Sequence, residues 1–165
     1  MHKPIENCYW VIPGSFIDGE YPRDKDEESS RVKINALISS RITAFIDLTE
    51  ENEGLLPYSG LLETATHQRF PIRDVSIPGS SVITVAILDA IDRHIQQEGM
   101  VYLHCWGGVG RTGVIVGCWL ARHGFKGEAA LARLHELWKQ CPKSTWRRSP
   151  ETNEQEQYIL EWEES

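Results

Sequence analysis

The stretch VYLHCWGGVGRTGVIVGCWL, residues 101–120, decides how this chain is read. A short apolar strand ends at His104, a glycine-rich turn follows, and an apolar helical pattern begins near Arg111. The strand delivers Cys105 to the mouth of the turn. Gly107, Gly108 and Gly110 carry no Cβ, so the backbone can curl tightly and its N–H groups can converge. Converging N–H groups make a nest for an anion. The helix adds the positive end of its dipole, and Arg111 adds a planar fork that holds two oxygens of a phosphate or sulfate. Five residues between Cys105 and Arg111 can wrap one tetrahedral oxyanion, with the sulfur beneath its central atom. Such surroundings favour a thiolate over a thiol, which predicts a Cys105 ready to attack phosphorus.

Outward from that turn, residues 9–22 (YWVIPGSFIDGEYP) predict two short strands about Pro13-Gly14. Residues 24–40 open with acids suited to a helix start and carry Val32, Ile34, Leu37 and Ile38 on roughly one side. ITAFIDL (42–48) is nearly all apolar, as suits a central strand covered on both faces. Residues 50–66 predict a loop with one helical turn, and HQRFPI (67–72) another strand. In residues 81–97, Val82, Val85, Ala86, Leu88 and Ile91 stand at helical spacing. Two helices are expected over 112–123 and 127–141, and a last one in the tail, with Ser149 as N-cap and Pro150 in its first turn. The alternation predicts an α/β class: one domain over residues 1–165, a central, mostly parallel sheet with helices on both faces. Ligands of such sheets bind beyond the carboxyl ends of strands, where Cys105 falls.

Seventeen basic against 24 acidic residues give a net charge of −7. That argues against nucleic-acid or lipid-headgroup binding as a general property, while leaving room for a small positive pocket. No secretory signal and no spanning apolar run is visible, so a cytoplasmic, membrane-free location is expected, with a monomer as default. Cys8, Cys105, Cys118 and Cys141 are scattered with neither zinc nor disulfide spacing. Cys118, Trp119 and Trp138 fit core positions, and His94, His123 and His135 are isolated from any metal pattern.

Two nucleotide-binding readings of the turn fail. The Walker pattern needs a lysine that the loop lacks. The dinucleotide fingerprint GxGxxG is replaced by GGxGxxG, with no acid about twenty residues on. His104-Cys105 through Arg111-Thr112-Gly113 instead resembles the HCxxGxxR[ST] signature of the cysteine-dependent protein tyrosine phosphatases. The chain's size resembles their compact dual-specificity branch. The Trp106-Gly107-Gly108 version is most similar to the cyclin-dependent-kinase-inhibitor-associated phosphatases and their bacterial relatives.

The resemblance implies that fold, and hydrolysis of phosphate monoesters through a cysteinyl-phosphate without metal or cofactor. Phosphotyrosine in proteins is the default substrate, with phosphoserine and phosphothreonine beside it. The same chemistry on a phosphoinositide is the alternative, disfavoured by a loop without lysine, and a binding module without turnover is a third. The resemblance also implies Trp106 to Arg111 as the phosphate-binding loop. It implies Asp74, 31 residues before Cys105 in FPIRDVSIPG, as general acid and then base. Asp47 is a rival that better suits a structural or pocket-lining role. Thr112 is expected to steady the sulfur through its hydroxyl, or to cap the helix, and His104 to organise the loop. Trp106 and Val109 are assigned either outward or to the rim. Gln155, fifty residues beyond Cys105, is weighed as a water-orienting glutamine of the larger tyrosine phosphatases against an ordinary helix surface, which is preferred. Arg147 and Arg148 form a small basic patch.

Overall fold

The structure is a computed structural model that describes residues 2–164. Five strands form one sheet in the order β1-β2-β5-β3-β4, made of Cys8–Ile12, Phe16–Gly19, Val101–His104, Ala44–Asp47 and Thr66–Arg69 respectively. Only the β1–β2 hairpin is antiparallel; the other three pairings are parallel. The interior strands alternate between two cores. Phe16, Ile46 and Leu103 face one side, and Ile17, Phe45 and Tyr102 the other. A period of two with apolar residues at both phases marks a strand buried on both faces, hence the continuous apolar runs.

Helix α1 (Glu27–Ser39) and the loop carrying Tyr58 and Leu62 cover the second face. Helices α2 (Ser81–Gln96), α3 (Arg111–Arg122), α4 (Glu128–Trp138) and α5 (Asn153–Glu161) pack on the first. Asp26 starts α1 by accepting from the N–H groups of Glu28 and Ser29, and Ser80 starts α2 by accepting from Ile83. Val32 and Val82 lie off the buried stripes and are exposed; α2 turns Thr84, Ile87, Leu88 and Ile91 inward, the spacing of one helical face.

The last helix begins later than expected. Thr152 is its N-cap and pairs reciprocally with Gln155, a capping box. Ser149 is buried and donates through Oγ to the Val109 carbonyl at 2.6 Å. The Ser149-Pro150 peptide is cis and lies against α3 so closely that a Cβ on Gly113 would come within 2.5 Å of Ser149 Oγ.

Candidate active site

The carboxyl ends of β2, β5 and β3 meet where Gly19, His104 and Asp47 stand in register. The loop 105–110 leaves β5 there and runs into α3, whose first residue is Arg111 and whose N-cap is Gly110, not Thr112. Its shape is set by what happens to its carbonyls. The Cys105 carbonyl accepts from His104 Nδ1 at 3.0 Å, that of Trp106 from the Tyr21 amide at 2.9 Å, that of Gly107 from Lys143 Nζ at 2.7 Å, and that of Val109 from Ser149 Oγ. With the carbonyls drawn outward, the peptide dipoles are turned and amides face the interior of the loop. One of them, Gly108 N–H, donates to Cys105 Sγ at 3.3 Å. Gly108 has φ +72°, and a Cβ there would stand 2.7 Å from the Gly19 carbonyl, so only glycine fits.

His104 is fully buried, and its tautomer follows from its partners. A carbonyl can only accept, so Nδ1 carries the proton, and Nε2 accepts from the Tyr58 hydroxyl. Burial pushes its pKa down to about 4, against the pull of nearby Asp47, so the ring is neutral. Asp47 is buried too. Burial opposes its ionisation, yet bonds from His67 Nε2 and from the Thr49 amide and hydroxyl, with His104 nearby, hold its carboxyl well below the usual range. Bound on both oxygens and absent from the lining of the Cys105 cavity, Asp47 is a buried structural anion at the end of β3, with Arg69 Nη2 at 3.3 Å.

Arg111 is buried and held as a fork. Nη1 and Nη2 meet the two carboxylate oxygens of Glu53 at 2.6 and 3.0 Å, and Nη1 also reaches the Ile72 carbonyl at 3.0 Å. Burial disfavours its charge, but Glu53, Cys105 and Asp74 together raise its pKa. Its Nε–H is buried without a partner. Glu53 ends a short 3₁₀ turn, Glu51–Glu53, in the loop that the sequence leaves almost featureless. Asp74 is placed by the chain 70–80, which has no regular structure. Its Oδ1 accepts from the Val75 amide at 2.9 Å and lies 3.3 Å from Arg111 Nη2, and the side chain is 54% exposed.

Cys105, Asp74, Arg111 and Val109 line one cavity of about 210 Å³, with Trp106 and Arg147 at its edge. Trp106 is on the rim and 60% exposed, whereas Val109 is buried. Thr112 Oγ1 lies 4.0 Å from Cys105 Sγ, at the long end for a sulfur hydrogen bond. Gln155 is not on an ordinary helix surface. It is fully buried, accepts from the Glu151 and Thr152 amides and donates through Nε2 to the Ser76 carbonyl at 3.0 Å, tying α5 to the Asp74 loop. Arg147 pairs with Glu151, and Arg148 with Glu156 away from the cavity. Among the described residues no His, Cys, Asp and Glu gather as a metal-binding group, and no helix is long and apolar enough to cross a membrane.

A thiol and an arginine fork thus border one cavity, with the Gly108 amide on the sulfur, a set of groups able to hold an oxyanion. The profile of the family described as Swiss Army Knife protein, DSP-PTPase phosphatase domain, matches residues 5–159, and the chain belongs to that family. An uncharacterised protein of Methanocaldococcus jannaschii is 33% identical over 92 residues, which is 56% of this chain and 52% of the relative. Protein 067L of Invertebrate iridescent virus 3, whose name assigns it provisionally to the tyrosine phosphatases, is 31% identical over 71% of this chain and 47% of its own length. The chain thus spans about half the length of the curated relatives it matches. Among solved structures, Tk-PTP in its active form superposes with a TM-score of 0.72 at 24% identity, covering 92% of this chain and 94% of that one. Kinase associated phosphatase gives 0.71 at 17%, over 88% and 84%. PTPMT1 in complex with PI(5)P gives 0.69 at 15%, over 93% and 92%. At these identities the structures establish the shared fold.

Proposed function

We propose that this chain, acting as one catalytic domain, hydrolyses phosphate monoesters through a cysteinyl-phosphate. The Cys105 thiolate attacks phosphorus in line and forms the S–P bond while the bond to the leaving oxygen breaks. Asp74 gives its proton to that oxygen. Arg111 and the loop amides hold the equatorial oxygens, whose charge they are already oriented to meet. Water then attacks, Asp74 takes its proton, the S–P bond breaks and inorganic phosphate leaves with the thiolate restored. The observation that carries this reading is the set of four loop carbonyls tied outward around an amide-to-sulfur bond, with the Arg111 fork and Asp74 in the same cavity.

The substrate we favour is a phosphorylated protein, phosphotyrosine first. The catalytic cavity shares Trp106, Gly107 and Arg147 with a neighbouring one of about 320 Å³, in which Trp146, Tyr21 and Lys143 also take part. A trough continuous with the phosphate site suits chain on either side of a phosphorylated residue. PTPMT1 holds PI(5)P, but the lysine nearest the loop here, Lys143, is occupied by the Gly107 carbonyl and Glu20, which counts against a polyphosphorylated headgroup. The test is turnover of an aryl phosphate with chelator present, together with inhibition by vanadate. Catalysis that survives chelation and yields to vanadate supports the reading; a wild-type chain inert across roughly pH 5 to 8 overturns it in favour of a binding module.

A further inference from the structure

Strand β2 carries a carboxylate where the sheet is driest. Asp18 pairs in register with Leu103 of β5, between Ile17 and Gly19, and is fully buried. The Tyr9 hydroxyl donates to Oδ2 at 2.8 Å. Oδ1 is buried with no hydrogen-bond partner, and besides Tyr9 the side-chain hydroxyl close to the carboxyl is that of Thr112. On its face of the sheet stand Tyr9 of β1 and Thr112 of α3; the other ionisable groups near it are Cys8 of β1 and Tyr102 of β5 on the opposite face, and Cys141 and Lys143 beyond α4, with Cys105 close to its partner Tyr9. The one cation among them, Lys143, is bonded to Glu20 and to the Gly107 carbonyl. An ionised carboxylate in this place has no compensating charge in contact. A neutral acid has one proton to place, and the oxygen of Thr112 is the acceptor at hand.

We infer that Asp18 is a positioning residue of the site: a neutral carboxylic acid that donates to Thr112, so that the Thr112 hydroxyl proton is left for the Cys105 sulfur. The inference rests on the phosphatase reading above. An ionised Asp18 would reverse the wiring. It would draw the Thr112 proton to itself and set a second negative charge behind the sulfur. Burial pushes the Asp18 carboxyl well above its ordinary range, against the pull of the Tyr9 hydroxyl and of nearby Thr112, the direction that favours the neutral form.

Two substitutions separate the neutral role from both alternatives. Asp18→Asn keeps an acceptor for Tyr9 and a fixed donor for Thr112, whereas Asp18→Ala removes both. Two readouts are taken across pH: kcat on an aryl phosphate, and alkylation of Cys105 by iodoacetamide followed by mass spectrometry of its peptide. Asp18→Ala is expected to lower kcat about tenfold, the scale of one hydrogen bond to a charged group, and to move Cys105 alkylation to higher pH. Asp18→Asn restores most of that loss and keeps its activity at alkaline pH, where the wild type declines. Stability gives a third arm. A carboxyl whose folded pKa is raised contributes stability that is complete below its unfolded pKa and is lost as pH rises through the folded one, so the wild type weakens relative to Asp18→Asn on the alkaline side. An Asn variant that is folded yet as impaired as the Ala variant, or a wild type whose stability tracks the Asn variant at every pH, overturns the inference. A wild type without turnover defeats the phosphatase reading instead, and the alkylation and stability arms still decide the role of Asp18.

Discussion

The two chain segments that face each other across the Cys105 cavity are built on opposite plans. Residues 105–110 are held from four sides by donors outside the loop, and all but Trp106 and Gly107 are buried. Residues 70–80 are mostly exposed. Asp74 and Ser76 make hydrogen bonds largely to their own neighbours; the ties to the body are backbone bonds from Phe70 and Ile72 at the start of the segment and, beyond them, Arg111 and Gln155. The first plan fits a group that must not move while charge develops, where fixed dipoles give their full effect. The second fits a proton donor that must reach leaving groups of different shape. The division of labour predicts that damage to the nucleophile side harms every substrate alike, while damage to the acid side depends on the leaving group.

The widest separation comes from Cys105→Ser, which should lower turnover of any phosphate ester by about 10⁴-fold or more, as removal of a covalent nucleophile does; residual activity within tenfold of the wild type breaks the scheme. Asp74→Asn should cost about 10³-fold on phosphotyrosine or an alkyl phosphate, and far less on an activated aryl phosphate. Equal losses on both would move the acid elsewhere. The nucleophile side also predicts a pH effect on stability. His104 has its folded pKa lowered to about 4, from about 6.5 when unfolded. Its contribution is present above the unfolded value and is lost as pH falls towards the folded one, about 3 kcal/mol over the whole window. Urea midpoints should therefore fall between pH 6.5 and 5, where few carboxylates titrate, and His104→Gln should flatten that slope.

Glu53→Gln sharpens the comparison further. It weakens the fork that aims Arg111 and should lower kcat/KM about tenfold on all substrates, since one charge-assisted pairing is lost. A loss confined to poor leaving groups would place Glu53 on the acid side. The smallest effect is expected from Gln155→Ala, which frees Ser76 and through it the Asp74 loop. We expect roughly a threefold loss, seen with poor leaving groups and absent with activated ones.

The fold was readable because its strands are buried on both faces and its turns carry proline and glycine, so residues 42–48 and 101–104 could be placed inside the sheet from composition alone. The candidate loop stands out in the sequence because its residues are local: thiol, glycines and guanidinium fall within seven positions. The partners that hold it do not. Glu53, Tyr58, Lys143 and Ser149 meet the site through tertiary contacts that follow no period and no motif. Asp18 reads as an ordinary member of a short strand until its burial is seen. The start of the last helix was misread because Ser149-Pro150 imitates a cap, although the pattern Thr152-x-x-Gln155 carries the better capping signal. Gln155 looked like helix surface because its position at the first turn gives no hint that its far end meets Ser76.

Three of the donors that fix the loop come from residues 21, 143 and 149, far along the sequence from the loop on both sides. A growing polypeptide that has produced Cys105 and Arg111 therefore still lacks Lys143 and Ser149, two of the donors that shape the loop. The pocket can assemble only when the first hairpin and the segment after α4 have both docked, late in any folding order. A copy cleaved between α3 and residue 143 would keep Cys105 and Arg111 and lose two of the donors, Lys143 and Ser149, that shape the loop joining them.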